Sequence, residues 1–222
     1  MGAFDWFWKA MGAQSERNNK KSKAVVAAAD SAVEDVAALD DAAVADAARS
    51  CVKDGAIADK SRFLAALAVA SERKLGMRPF NVQSQAVLRL LEGDVIQMAT
   101  GEGKTLVGAM AATGFALTGK RVHLVTVNNY LAARDAEWMR PLVEFFGLTV
   151  ASVTEKLGPE ERRAAYQADI IYAPVNELGF DVLRDNQITA REQTVQARAD
   201  VALVDEALSL IHISEPTRPE RI

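Results

Sequence analysis

The stretch "DVIQMATGEGKTLVGAM", residues 94–110, joins a short apolar run to a glycine-rich turn and then to apolar residues at helical spacing. The apolar run, residues 95–99, predicts a buried strand. Gly101 and Gly103 can adopt positive φ, so the turn can be tight and a ligand can approach the backbone closely. The apolar residues after Lys104 recur on one side of a helix. The stretch therefore predicts a strand, a loop and a helix in direct succession.

This order is the setting in which the phosphate-binding motif G-x-x-x-x-G-K-[ST] operates. The N–H groups at the start of such a helix face an anion, and the helix dipole favours negative charge there. Lys104 is predicted to contact the outer phosphates of a nucleotide, and the Thr105 hydroxyl to coordinate Mg²⁺. Met98 occupies the position of the motif's first glycine, so the general pattern is only partly met. The alternative is a glycine-rich turn that binds no ligand.

The composition is that of a soluble globular protein with a sizeable core: 222 residues, 50% of them hydrophobic and 25% charged. The net charge of -4 argues against binding polyanions through bulk charge. Cys51 is the single cysteine, which excludes an internal disulfide and fits a reducing compartment. No apolar run reaches the roughly 18 residues that a membrane span needs, and the N-terminus lacks the features of a secretory signal. We expect a protein that stays in the cytosol.

Residues 1–76 are predicted to form a helical N-terminal region, interrupted at Asp40, turning at Gly55 and ending at Gly76. Within it, residues 4–23 combine tryptophan and phenylalanine with several lysines. Such a segment suits an anionic membrane surface or a partner groove. A terminal helix that packs on its own domain is the alternative interpretation.

After residue 76, strand and helix patterns alternate. The predicted strands are 121–127, 148–153, 169–173 and 200–204, and the predicted helices are 82–93, 130–147, 158–168 and 176–186. Pro141 is expected to bend or break the second of these helices. Repeated strand–helix units predict an α/β fold, with a parallel sheet and helices on both faces.

Asp205 and Glu206 follow the last apolar strand, at the edge of a parallel sheet where ligands bind. Asp205 is predicted to hold Mg²⁺ through water, and Glu206 to orient or deprotonate the attacking water. Many strands end in acids, but this pair lies about a hundred residues after a Gly-Lys-Thr loop, which favours a nucleotide-hydrolysing site. His123, inside a predicted strand, is expected to be a core residue.

These segments resemble SecA, the bacterial preprotein translocase ATPase. The similar segments are "GMRPFNVQ" (76–83), "MATGEGKTLVGAM" (98–110), "HLVTVNNYLAARDAEWM" (123–139), "NELGFDVLRDN" (176–186) and "ALVDEA" (202–207). The resemblance covers residues 73–207 and is greatest for the accessory SecA of actinobacteria. Asn129 stands where the family usually has aspartate.

The resemblance implies a RecA-like P-loop NTPase fold, with residues 77–207 forming part of the first nucleotide-binding domain. Gln83 matches the glutamine that hydrogen-bonds adenine. The residues that match the phosphate loop are Gly101, Glu102, Gly103, Lys104 and Thr105. The implied cofactors are ATP and Mg²⁺, with Thr105 and Asp205 as metal contacts and Lys104 and Glu206 as catalytic residues.

The family couples ATP hydrolysis to the export of preproteins across the cytoplasmic membrane. The implied partners are a SecY-type channel, a preprotein and an anionic membrane surface, with a homodimer compatible and no nucleic acid expected. The implied location is cytoplasmic and peripheral to the inner face of the membrane. The family's second RecA-like half and preprotein-binding insertion are not within these residues, so the chain alone is expected to be inactive. Residues 208–222 resemble a translated sequencing-library adapter and are expected to be a non-native tail.

Two alternatives come from other functional classes. A RecA-like nucleic-acid helicase is expected to show a Pro-Thr-Arg-Glu-Leu type segment after its second strand, where this chain has "TVNNY", residues 126–130. A non-enzymatic nucleotide-binding module is the second alternative, and turnover by the isolated chain, with and without RNA, separates the three.

Overall fold

The computed structural model describes residues 3–188, 194–196 and 199–207, with side chains from residue 19 onward. The chain forms two compact units, residues 1–118 and 119–222, and each is described by itself below. The predicted domain boundaries at residues 76 and 207 stay a prediction. The expected non-native tail, residues 208–222, lies outside the described residues.

The first unit is helical, as the sequence predicts for most of it. Its helices are α1 (Ala3–Ala37), α2 (Asp41–Ser50), α3 (Lys60–Leu75), α4 (Asn81–Leu91) and α5 (Lys104–Leu117), and a small hairpin pairs β1 (Val52–Lys53) with β2 (Ala56–Ile57). Asp40 accepts the Ala43 N–H at 2.8 Å and caps α2. Gly55 turns the hairpin and Gly76 ends α3, both with positive φ. These three local predictions are confirmed.

The predicted strand at residues 95–99 is wrong. Residues 94–99 have no regular secondary structure, and Val95 is 99% exposed. A strand is stabilised by ladder hydrogen bonds and by packing on its neighbours rather than by its own sequence. No described strand pairs with this segment. Asp94, at its start, is held instead by an ion pair with Arg89 of α4.

The second unit contains the α/β fold that the sequence predicts. Its elements are β3 (Val122–Thr126), α6 (Asn129–Phe145), β4 (Val150–Ser152), α7 (Pro159–Ala165), β5 (Ile170–Pro174), α8 (Val175–Gln187) and β6 (Val201–Val204). The described strands form one parallel sheet in the order β4-β5-β3-β6. Because strand and helix alternate along the chain, parallel pairing follows from the crossover connections.

Helices cover both faces of this sheet. Every residue of β3 and β5 is buried, as expected for strands covered on both sides. On one face Ile171 and Ala173 pack with Tyr166, the C-cap of α7, and with Leu178 of α8. The side chain of Tyr172 points to the opposite face, because successive strand residues alternate. His123 is 6% exposed, so a core position is confirmed, but the expectation that its hydrogen bonds are satisfied is wrong, because its buried Nε2 has no partner among the described residues. Burial lowers the pKa of His123.

Pro141 lies inside α6, and the helix continues through it from residue 129 to 145. The helix is therefore not broken at Pro141, and the expected bend stays a prediction. Proline removes one backbone hydrogen bond and clashes with the preceding turn. Burial of Met139, Leu142 and Val143 on either side of the proline offsets that cost.

Among the described helices, none combines the length and the apolar character that crossing a bilayer requires.

Candidate functional site

The predicted phosphate loop lies directly before α5 in the first unit. Gly101 and Gly103 adopt φ values of 87° and 82°, a region that L side chains rarely enter. Gly103 is the N-cap of α5, and no side chain caps the helix. Lys104 and Thr105 are its first two residues. The first N–H groups of a 14-residue helix are thus presented without a side-chain cap, as an anion site requires.

Glu102 shapes this loop through its own turn. Its carboxylate accepts the Ala99 N–H at 2.7 Å, and its own N–H donates to the Ala99 carbonyl at 3.3 Å. Both bonds join Glu102 to the backbone of Ala99, so they close the turn over residues 99–102. In the described structure Glu102 therefore acts on the loop's conformation, and its predicted contact with a nucleotide stays a prediction.

Gln83 connects α4 to the phosphate loop. Its Oε1 accepts the Phe80 N–H at 2.9 Å, which satisfies the start of α4. Its Nε2 donates to the Glu102 carbonyl at 2.8 Å. Gln83 is 7% exposed, so this amide is a buried link between two segments. Sequence reasoning assigned Gln83 to adenine and missed this contact with the loop.

Gly103 gives the Gln83 amide the space it occupies. A Cβ at Gly103 would meet Gln83 Nε2 at a distance that real Cβ atoms essentially never show. By contrast, a Cβ at Gly101 would have no heavy atom within 4 Å. Gly103 therefore suits its left-handed backbone, and a side chain there would push the Gln83 amide away from its bond to the Glu102 carbonyl.

A cavity of about 930 Å³ adjoins the loop, within the size range of small-molecule and cofactor sites. Its lining includes Phe80, Gln83, Arg89, Met98 and Gly103. The apolar and amide groups suit a ligand with a flat ring, whereas the Arg89 guanidinium is already paired with Glu92 and Asp94. The loop and the cavity thus fit a nucleotide.

Asp205 and Glu206 follow β6 in the second unit. The Asp205 N–H donates to the Val125 carbonyl at 3.0 Å, which continues the hydrogen bonding between β6 and β3 beyond the end of β6. The Asp205 Oδ1 accepts the Glu206 N–H at 2.8 Å. Glu206 has a φ of 52°, uncommon for a residue other than glycine and more frequent at active sites.

The comparison with known proteins fits this geometry. The sequence model of the SecA DEAD-like domain family matches residues 7–219. The chain belongs to the SecA family. The "Protein translocase subunit SecA 2" of Corynebacterium glutamicum strain R is 63% identical over 211 residues, which is 95% of this chain and 28% of that protein. The protein of the same name from Corynebacterium efficiens is 61% identical over 211 residues, again 95% of this chain and 28% of that protein.

A more distant SecA 2, from Mycolicibacterium smegmatis, is 50% identical over 207 residues, 92% of this chain. The predicted likeness to the accessory SecA of actinobacteria is confirmed by these relatives. The chain spans about a quarter of the length of the relatives it matches, 26–28%.

The segment "NELGFDVLRDN" lies within the residues that the family model matches, and the structure shows what its acids contact. Glu177 and Asp181 of α8 point inward and bind Arg162 of α7, at 2.6 Å and 2.8 Å. The Tyr166 hydroxyl donates to the same Asp181 oxygen at 2.9 Å. Burial raises the pKa of Tyr166. Burial disfavours the charged Arg162, but its hydrogen bonds to Glu177 and Asp181 outweigh this, and the pKa of Arg162 rises.

Asp185, in the same helix, connects α8 to residues that precede β6. Its two carboxylate oxygens accept the N–H groups of Val195 and Gln196, each at 2.8 Å. The Gln196 side chain donates to the Leu178 carbonyl at 2.9 Å. These bonds tie α8 to residues 195 and 196, which precede β6, and Asp205 and Glu206 follow that strand. The sequence signal was an acid at every fourth position of one helix, at 177, 181 and 185.

The predicted metal contacts of the SecA site, Thr105 and Asp205, stay a prediction. The described residues contain no group of three or more histidine, cysteine or acidic side chains that could hold a metal ion by itself. Nucleotide Mg²⁺ does not need such a group, since it keeps waters and takes one or two protein oxygens together with phosphates. A hydroxyl and a carboxylate fit that chemistry.

The two asparagines of the SecA-like segment "VNNYLA" act on the backbone. Asn128 caps α6 by accepting the Leu131 N–H at 2.9 Å. Asn129, at the position where the family usually has aspartate, accepts the Glu155 N–H at 3.2 Å through its amide oxygen. An amide oxygen and a carboxylate can both accept this bond, so the substitution preserves the acceptor.

Proposed function

We propose that this chain is the ATP-binding part of a SecA-type motor that couples ATP hydrolysis to the export of preproteins. The observation that carries the proposal is the loop before α5, where Gly103 caps the helix without a side chain and Lys104-Thr105 follow at once. Family membership supports the same function.

In this proposal each residue has a defined task. The N–H groups at the start of α5 and the Lys104 ammonium bind the phosphates, and Gln83 contacts the adenine. Thr105 and Asp205 hold Mg²⁺, which supplies charge neutralisation at the phosphates when bound. Glu206 accepts a proton from the attacking water. Asp205 fixes the backbone beside Glu206 through its hydrogen bond to the Glu206 N–H.

The partners of the whole protein follow from the same proposal. The relatives are called protein translocase subunits, and we extend that role to this protein, with a SecY-type channel and a preprotein as partners. We further propose that it acts at the cytoplasmic face of the membrane, with residues 4–23 at an anionic surface. The proposed second RecA-like half would supply the opposing arginine, so the chain alone hydrolyses ATP negligibly.

The test is a phosphate-release assay on the full-length protein beside the 222-residue chain. We expect turnover by the full-length protein and negligible turnover by the chain, since a finger-type arginine contributes about 10³–10⁵ in rate in related enzymes. Preprotein with channel-containing vesicles should stimulate the full-length protein. Stimulation by RNA instead would favour the helicase alternative, and equal turnover by both proteins would show that these residues contain a complete site.

A further inference from the structure

Helix α8 turns its charged side inward and its apolar side outward. Glu177 and Asp181 are 5% and 0% exposed, whereas Phe180 and Leu183 are 51% and 57% exposed. An amphipathic helix on the surface of a globular protein normally shows the opposite arrangement, with the apolar stripe against the core. The arrangement in α8 has a local cause, because Glu177 and Asp181 bind Arg162 and Asp185 accepts the N–H groups of residues 195 and 196.

The outward side of α8 is a defined surface. Its exposed large apolar residues, here called the α8 apolar face, are Val175, Phe180, Val182 and Leu183. Leu183 lies opposite the acids on the helical period, and Val175, Phe180 and Val182 lie to either side of it. Gly179 lies between them and has nothing within 4 Å of a Cβ position. The helix therefore presents four large apolar side chains to solvent.

The polar residues beside the apolar ones indicate whether this face suits a protein, a nucleic acid or a membrane. The uncharged residues Asn176, Asn186 and Gln187 are exposed between the apolar side chains, and the exposed Arg184 lies beside Phe180. Arg184, the only basic residue of α8, is ion-paired with Asp181 at 2.6 Å. Nucleic acids and anionic membranes are bound through clustered basic residues. An uncharged apolar face instead fits an uncharged, apolar surface of a protein.

The small size of the face favours a partner within the same polypeptide over a second copy of the chain. Four partly exposed side chains do not approach the roughly 800 Å² per partner of a stable complex. A covalently attached partner does not lose the translational and rotational freedom that two separate molecules lose on association. The chain spans only 28% of the length of its relatives, so most of such a protein lies outside it.

We propose that the α8 apolar face is covered, in the full-length protein, by an apolar segment of the polypeptide outside these 222 residues. The inward acids anchor the helix to its own sheet, and the outward face joins that sheet to the rest of the protein. This interface is independent of nucleotide hydrolysis, so it does not rest on the proposed function.

Thiol labelling of a cysteine placed on the face tests the proposal. Leu183→Cys is introduced together with Cys51→Ala, because Cys51 is buried and is the only cysteine of the chain. A matched variant carries Glu160→Cys in the same background, since the Glu160 side chain is 94% exposed on α7 of the same unit. Each variant is made in the 222-residue chain and in the full-length protein, and maleimide labelling rates are compared.

We expect the Leu183→Cys thiol to react at least about tenfold more slowly in the full-length protein than in the chain, because a docked site reacts only from its open fraction. The Glu160→Cys thiol should react at equal rates in both.

Equally fast labelling of Leu183→Cys in both proteins overturns the proposal. So does protection already present in the 222-residue chain. If that protection grows with concentration, a second copy covers the face; if it does not, this chain itself covers it. Protection that appears only with added preprotein assigns the face to the preprotein and also overturns the proposal.

Discussion

The Nε2 of Gln83 donates to the Glu102 carbonyl at 2.8 Å and occupies the space that a side chain at Gly103 would need. The start of α4 and the phosphate loop are thus linked through one buried amide. Because the other end of that amide accepts the Phe80 N–H, a change in the loop is transmitted to the segment predicted to bind adenine.

Substituting Gly103 by alanine should therefore disrupt both ends of the site. Gly119 provides a matched control, since both glycines have a φ of 82°. A Cβ at Gly119 meets nothing within 4 Å, whereas a Cβ at Gly103 collides with Gln83. Gly119→Ala should cost only the backbone strain of a left-handed alanine, about 1–2 kcal/mol.

Gly103→Ala should lower the free energy of unfolding, measured by thermal unfolding, more than Gly119→Ala does. Of the two variants, only Gly103→Ala should weaken the binding of a fluorescent ATP analogue in the full-length protein. Two variants with the same loss of stability and the same affinity would show that the contact between Gln83 and the loop has no role in the site.

Lys104→Ala removes the positive charge predicted at the outer phosphates. Hydrogen bonds to charged groups contribute about 1.5–3 kcal/mol, so affinity for the ATP analogue should fall by about tenfold or more. Lys53→Ala, at an exposed residue of the β1–β2 hairpin, is the control and should bind normally. Titration of both variants in the full-length protein checks this, and wild-type affinity for Lys104→Ala would contradict the phosphate-loop assignment.

Glu206→Gln retains the shape of the side chain and removes the proposed base. In the full-length protein it should leave ATP binding nearly intact and slow phosphate release by about the 10²–10⁴ that a positioned acid–base group contributes. Glu155→Gln, at an exposed residue of the same unit, should hydrolyse ATP at the wild-type rate. Full activity of Glu206→Gln would mean that another group activates the water.

Deleting residues 1–23 should weaken binding to anionic membranes. Lysines near such a surface contribute about 1 kcal/mol each, and Lys20, Lys21 and Lys23 are exposed on α1. Flotation with liposomes that contain an anionic lipid should fall, and nucleotide affinity should not change. Flotation that is unaffected by the deletion would support the alternative that this segment packs on its own domain.

The local features of the fold were predictable because their signals are local. A capping aspartate at residue 40 and a glycine at residue 76 act within one helical turn, and both appear in the sequence. The strand at residues 95–99 was mispredicted because a strand depends on partners that lie far away in the sequence. The contact between Gln83 and Glu102 was missed for a similar reason, since 19 residues separate them.

The orientation of α8 shows a further limit of pattern reading. Periodicity separates a helix into an apolar and a charged side, and the usual assignment places the apolar side inward. Arg162 reverses that assignment by providing a buried partner for the acids. The position of a buried cation on a different helix is a tertiary fact, which the pattern of α8 alone does not contain.

The contribution of the buried ion pair with Arg162 to stability can be measured by substituting two glutamates, one buried and one exposed. Glu177 and Glu137 belong to the same unit, and each binds an arginine, at 2.6 Å and 3.0 Å. The Glu177 side chain is 6% exposed and the Glu137 side chain is 75% exposed. Removing one partner of a buried ion pair costs about 3–5 kcal/mol because it leaves a charge without compensation.

Glu177→Ala should therefore lower the denaturation midpoint of the chain markedly, while Glu137→Ala should change the free energy of unfolding by no more than about 1 kcal/mol. Asp181 remains beside Arg162 in the first variant, so the measured cost should lie toward the lower end of the buried range. Glu177→Gln retains an oxygen that can accept the Arg162 bond and should recover part of the loss. Equal midpoints for Glu177→Ala and Glu137→Ala would show that the inward acids do not hold α8 in its reversed orientation.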